Sequence, residues 1–354
     1  MTAPINANIA RDRLEQIVST GIQKAGPVIA RVLSQTPEDA LCRGSALDFY
    51  VRETGAVELV RPDGVFATHR YALGQIVEKT GMTRGYADKL AVDGEDNAWR
   101  RELLAHSLRE HFSHSPDRFL VRSLNGEIRG FLSDSFRRLD SRPLLDAFIK
   151  ACQEVGAVPF EGVASDLRVS VRAILPTVYE PVPGEAMVFG LAWNNSDFGA
   201  GLYGISVFVL RLICLNGAVG ESALKQRHLG GRLADNLELS QRTYDLDTAT
   251  MASATRDLVR KLLAPRTIEV QCSLVRDAHD RETDWNRAFR SIRSLSKTEE
   301  TKVREAFEGE DVVMLPAGKT VWRLSNALSW VANTTSDAER KLELQQAAGA
   351  VLKA

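Results

Sequence analysis

The sequence predicts an α+β protein, with a central bent antiparallel β-sheet, flanking helices and a helical C-terminal portion. Three observations lead there. Roughly seven to nine short runs of strand character precede residue 215, in an order that is not a βαβ repeat. Beyond residue 232 the apolar spacing becomes helical. Between Gly184 and Arg232 the segments GEAMVFGLAWNNSDFGAG and GISVFVLRLICLNGAV read as two consecutive apolar strands, each closing on a polar loop. The implied organisation is a helical and hairpin portion over 1–115, a sheet core over 116–270 and a helical annex over 271–354.

Each element has its own signal. Leu14, Ile17, Val18 and Ile22, then Val28, Ile29 and Val32, recur at helical spacing near the start. LDFYVRE and AVELVRPDGVF read as paired strands, the second broken at Pro62-Asp63-Gly64, and Thr68 is placed to cap a helix that stops near Gly81. Trp99, Leu103, Leu104, Leu108 and Phe112 share one broad helical face. In FLVRSLNGEIRGFLSD, Asn125-Gly126 marks a tight hairpin, because these two residue types tolerate the positive φ of a primed turn. Pro143 suits the first turn of the next helix, which buries Leu144, Leu145, Phe148 and Ile149. LRVSVRAIL alternates as a strand does, and an arginine row on one strand face requires water, acids or phosphates. Later, a long amphipathic helix stops at Pro265, Ser296 with Glu299 forms a capping box, and two final helices offer Leu324, Leu328 and Val331, then Leu342, Leu344, Ala348 and Val351, as buried positions.

Composition narrows the function. The chain has 354 residues, 44% hydrophobic and 26% charged, with a formal net charge of -1. No global basic field advertises nucleic acid, so an anion site must come from local clustering. The four cysteines lie far apart, without zinc-site spacing, and His106, His111 and His114 are spaced five and three apart, which aligns three metal ligands poorly. With no leader-like start and no long apolar run, a cytoplasmic protein is expected.

Clustering is found around the two apolar strands. Arg137, Arg138, Arg211, Lys225, Arg227 and Arg232 could follow phosphates, with Asn195, Asn216 and His228 as polar partners. Trp193, Phe136, Phe198 and Tyr203 could lie against bases. These residues form the candidate nucleic-acid site, with no cofactor, no metal and no catalytic residue assigned. A nuclease alternative would place a divalent metal on Asp197, Glu185, His228 and Glu221, but no tight acidic pair with a following lysine accompanies them. GESALKQR lacks the Gly-Lys-Ser/Thr ending of a phosphate loop, and Ser196 has no neighbouring base to activate it. A structural or interaction protein without nucleic-acid binding is the other alternative.

The order of AWNNSDFGAG, VLRLICLNG and QRH, with RGFLSDSFRRLD upstream and VWRLSNALSWVA and LELQQAAGAVL downstream, resembles the phage- and plasmid-borne family called the domain of unknown function number 932. The resemblance spans roughly residues 118 to 350 and is carried by the order of the motifs. Arg211, Cys214, Asn216 and the Arg227-His228 pair stand where that pattern has them, whereas Phe136 replaces its tyrosine-like position. It implies a protein of a mobile element, distantly similar to phage single-strand annealing proteins. On that implication the chain binds and anneals single-stranded DNA without ATP, forms a homo-oligomer and works with a phage or plasmid exonuclease, away from any membrane.

Overall fold

The structure is a computed structural model that describes residues 7–212, 216–226, 228, 239–292, 295–309 and 315–353. Helix α1 (Ala7–Ser34) leads into strands β1 (Glu38–Arg43), β2 (Asp48–Val51), β3 (Val57–Arg61) and β4 (Gly64–Thr68), then helices α2 (Arg70–Lys79), α3 (Arg84–Leu90) and α4 (Ala98–Ser113). The hairpin β5 (Arg118–Leu124) and β6 (Glu127–Ser133) precedes α5 (Ser141–Glu154). A meander follows: β7 (Val158–Ala164), β8 (Val169–Ile174), β9 (Met187–Asn195), β10 (Tyr203–Arg211) and β11 (Asn216–Gln226). Helices α6 (Gln241–Leu262), α7 (Pro265–Asp280), α8 (Trp285–Ser291), α9 (Lys297–Glu308), α10 (Val321–Thr334) and α11 (Ala338–Val351) complete the described chain. None of the described helices is long and apolar enough to cross a membrane.

The α+β class holds, with two sheets. The first has the order β1-β5-β6-β4-β3-β2 and is mixed, because β4 and β6 run parallel while its other pairs are antiparallel. It is assembled from both sides of residue 115, and α2, α3 and α4 fill one face with a core that includes Phe49, Leu59, Ile76, Leu108, Phe112 and Phe131. Asn125 and Gly126, at φ 54° and 78°, make the hairpin turn that the Asn-Gly signal implies. Two local expectations shift by a residue or a role. His69, not Thr68, caps α2 by accepting from the Tyr71 N–H, and Pro265 opens α7 as its first residue, where its missing N–H costs no helical bond.

The second sheet is an antiparallel meander in the order β11-β10-β9-β8-β7. Its strands alternate, apart from irregularities near Ser206 and between Pro159 and Glu161. Val171, Ala173, Phe189, Leu191, Trp193, Tyr203, Ile205, Val207 and Val209 point to one core, shared with α5, α6 and α7. On the opposite face Ile174, Val188, Phe208 and Leu210 are apolar and buried, and small residues floor the rest. Ala192 pairs with Arg172 and Ser206, and Asn194 with Ser170 and Gly204. Gly190 has no alternative there, since a Cβ would stand 2.0 Å from the Ala173 carbonyl oxygen. Helix α1 covers the β7 edge of this face, with Gly21 against Phe160, and α11 lies over β11. Between the two helices Ala10 and Leu14 of α1 pack on Val188, Phe208, Leu210 and Val219 as a second core, and the face is hollowed only beside it.

Strand β11 is not legible as a strand in the sequence: NGAVGESALKQ is rich in Gly, Ser and charged residues, and it reads as a turn and loop. Among the described residues ten strands precede it, one more than the upper expectation, because β1 lacks an apolar alternation. In the C-terminal helices the capping box at Ser296 and Glu299 is present. Arg323 is buried among backbone oxygens of Ala306, Phe307, Gly309 and Pro316. Several of those carbonyls close the C-terminus of α9, whose negative dipole end stabilises the cation.

Candidate nucleic-acid interface

The residues singled out by their motifs do converge, but below the surface. Arg122 on β5 is fully buried and donates from Nε to Asp39 Oδ1 at 2.6 Å, from Nη2 to Asp140 Oδ1 at 2.6 Å and from Nη1 to the Asp197 carbonyl at 2.8 Å. Arg138 pairs with the same Asp39 at 3.2 Å and lies over the Tyr244 ring. Arg137 grips Asp247 of α6 through Nε and Nη2 at 2.6 and 2.5 Å. Asp197 Oδ1 accepts from the Ser141 N–H and hydroxyl at 2.7 and 2.8 Å, and Asn195 Nδ2 donates to the Leu139 carbonyl at 2.7 Å. His228 sits between Arg137 O and Asn195 Oδ1, stacked on Phe136 with ring centroids 4.9 Å apart. The polar ends of β9 and the segment before α5 thus form a hydrogen-bonded junction between the two sheets. Buried polar groups of this kind must be paired, and here most are; Arg138 Nε faces Asp39 as an ion pair without a hydrogen bond.

A second buried cluster uses Arg211. It is 4% exposed and grips Glu185 through Nε and Nη2 at 2.5 and 2.6 Å, and the Trp322 indole N–H donates to the same carboxylate at 3.0 Å. This joins the end of β10 to the first turn of α10. Trp193 is 0% exposed, packed beside Phe148 and Tyr203 on the helix-covered face. Tyr203 and Phe198 are buried as well. The expectation that Arg137, Arg138, Trp193, Asn195, Arg211 and His228 line an open surface is therefore corrected: the last four are buried, and Arg137 and Arg138 are half-buried and held in ion pairs. An enclosed guanidinium must have its donors paired, and each of these three arginines finds a carboxylate. Asn216 pairs with Arg211 and Lys225 with Gly204 at the backbone, but the side chains of Asn216 and Lys225 lie outside the described residues, as do Arg227, Arg232 and Cys214 entirely. Of the nuclease alternative, Asp197, Glu185 and His228 are committed to the contacts above and the Glu221 side chain is outside the described set. Among the described residues no three His, Cys, Asp or Glu gather to hold a metal.

The junction titrates in opposing directions. Burial pushes Asp197 up to about 6, the Asp140 carboxylate adds to this, and Arg122 and Ser141 partly offset it. Burial pushes His228 down to about 4, with the Arg137 carbonyl opposing and the Arg122 cation assisting. A histidine whose folded pKa is lowered contributes stability above its unfolded value that is lost as pH falls toward 4. A carboxyl whose folded pKa is raised works the other way, and gains stability as pH falls through 6. Between pH 6.5 and 4 the two offset each other. Over that window Asp197→Asn, left with the histidine alone, is expected to lose up to about 3 kcal/mol of stability relative to the native chain. His228→Gln, left with the carboxyl alone, should gain a similar amount, because a pKa that differs by about 2 between the folded and unfolded chain is worth about 3 kcal/mol. Urea unfolding of the three proteins at the two pH values checks this; changes of the same sign in both variants would refute it.

The hollowed part of this second face of the five-stranded sheet carries the remaining chemistry. Two hollows lie on it, of about 870 and 750 Å³, and they share a wall made by Glu161, Arg172 and Lys341. The larger is lined by Arg168, Arg172, Lys341 and Lys353, the other by Arg13, Lys24, Arg172 and Lys341. Six cationic side chains thus stand against one carboxylate among the described lining residues. Glu161 is itself held by Arg172 at 2.7 Å and Lys341 at 3.8 Å, and Arg172 also donates to Gln345 of α11 and lies over the Phe208 ring at 4.9 Å. Between the cations the surface is apolar, with Val163 and Leu202 42% and 37% exposed and Phe160 and Leu342 half-buried. Only the arginine row of LRVSVRAIL pointed here in advance; Arg13, Lys24, Lys341 and Lys353 come from the two ends of the chain, and no local pattern marks them. No family model, curated protein or solved structure matches this chain, so the class defined by fold and site is an α+β protein with a basic trough beside an antiparallel sheet.

Proposed function

We propose that this chain holds single-stranded nucleic acid along the two basic hollows beside its five-stranded sheet, without a cofactor. The observation that carries this is the set of six cations against a single, already paired carboxylate on a concave face of a protein whose net charge is -1. Cations following a backbone, with apolar side chains between them, are what a sequence-tolerant single-strand binder needs. A duplex keeps its bases stacked inside and would leave Val163, Leu202 and Leu342 without partners. Annealing, homo-oligomerisation and an exonuclease partner come from the motif resemblance and belong to the same proposal.

Fluorescence anisotropy of a labelled oligonucleotide, measured across a salt series, tests it. With about six phosphates neutralised, the slope of log affinity against log salt should lie near about −4. Arg168→Ala with Lys341→Ala should lower that slope by about 1 to 1.5. Binding that ignores salt, or no binding, favours the interaction-protein alternative. Shortening of the strand in the presence of magnesium would instead reveal a nuclease.

A further inference from the structure

A third, smaller hollow of about 240 Å³ opens beside the larger one, and the two share Ser165, Arg168 and Val169. Three arginines from three elements line it: Arg31 of α1, Arg129 of β6 and Arg168 of the β7–β8 turn. Arg31 donates to the Ser165 carbonyl at 3.0 Å. Arg129 donates to Glu127 at 3.0 Å and to the Asp166 carbonyl at 3.3 Å. These contacts use a minority of the five donors on each guanidinium, so both heads are held in place with donors left over. Two carboxylates share the lining. Asp166 is paired with Arg129 at 3.6 Å, and Asp197 is occupied by Ser141. Buried Phe198 and Ser141 back the hollow, and the Asn125 turn and α1 flank it.

Building on the reading of the trough as a single-strand site, we propose that this hollow takes the terminal phosphate of the strand. A phosphate monoester carries about −1.5 to −2 charges at neutral pH, against one for an internal diester, and offers three acceptor oxygens. A compact site where three guanidiniums meet, with Asp166 already paired and Asp197 turned to Ser141, discriminates best for the doubly charged group. The volume, less than a third of its neighbour's, suits one phosphate with its sugar and not a passing strand.

The experiment compares one oligonucleotide in three forms, carrying 5′-phosphate, 3′-phosphate or hydroxyls only, on the full chain. One phosphorylated end should bind about tenfold more tightly than the hydroxyl form, the effect of a single additional charge-assisted hydrogen bond. Inorganic phosphate should erase that preference while leaving the hydroxyl form bound, which separates a free-phosphate source from a strand end. Arg31→Ala with Arg129→Ala should abolish the preference and spare the hydroxyl form. Because those arginines also hold the turn that carries Arg168, Asn125→Asp provides a second variant; it keeps the turn, sets a carboxylate at the rim and should have the same effect. Equal affinity for all three forms, or a preference that survives in both variants, overturns the proposal. Salt-dependent binding without an end preference leaves the trough reading standing, whereas absence of any binding removes both.

Discussion

Arg211→Ala is expected to destabilise the protein by about 3–5 kcal/mol, the cost of leaving one member of a buried ion pair without its partner. Glu185 would remain enclosed, with only the Trp322 indole N–H among the described residues to satisfy it. The pair itself need not stabilise the fold relative to an apolar substitute. Arg211→Met combined with Glu185→Leu should therefore recover much of the loss, because no charge is left to desolvate. Chemical unfolding of the single and double variants measures both values. The same change separates the two ideas of what this arginine does. If it holds Glu185, the salt dependence of oligonucleotide binding in the folded variant stays at the native slope. A variant of unchanged stability with a slope reduced by about 0.7 would instead make Arg211 a phosphate ligand.

Gly349→Ala should destabilise by about 2–3 kcal/mol, although helix propensity alone predicts a gain of about 1 kcal/mol for Gly to Ala in a helix interior. The two effects oppose, and geometry decides between them. A Cβ at 349 would stand 1.9 Å from the Val219 carbonyl oxygen and 2.5 Å from its carbon, both in the backbone of β11. That strand is hydrogen-bonded to β10 and cannot recede, so α11 must lift. Lifting it exposes Leu344, Ala348 and Val351, which pack with α10, and strains the Ser325 bond to the Ala348 carbonyl. The Gln345 contact to Arg172 in the trough wall would loosen as well. Thermal unfolding, with limited proteolysis of the C-terminal helix, reads the outcome. A raised melting temperature would show that propensity wins and that the approach of α11 to β11 is looser than it stands here.

How much of this is legible in the chain alone depends on the range of the interaction. Asn125-Gly126 makes its turn because the φ preference belongs to those two residues. Ser296 and Glu299 make a capping box because both partners lie within one helical turn. The alternation in Val169 to Ile174 gives β8 its two faces and puts Arg172 opposite Val171 and Ala173. The motifs that carry the family resemblance are also visible, but their role is not. Asn195, Arg211 and His228 look like ligand-binding residues because polar groups beside apolar strands usually serve one, and only the partners reveal the difference. Those partners, Leu139, Glu185 and Arg137, are named by no local pattern.

Local chemistry sufficed for the α+β class, most of the helices, the hairpin and the burial of alternate residues along the central strands, since each follows from propensities or periodicities spanning a few residues. Long-range packing was needed to pair β4 and β6 in parallel, to make β11 out of a Gly- and Ser-rich segment, and to lock the motif arginines to carboxylates. It also chose which cations meet. Arg13, Arg172 and Lys341 share one face only because α1 and α11 pack at opposite edges of the same sheet face, and charge neutralisation or excess is a property of distances that chain order does not encode.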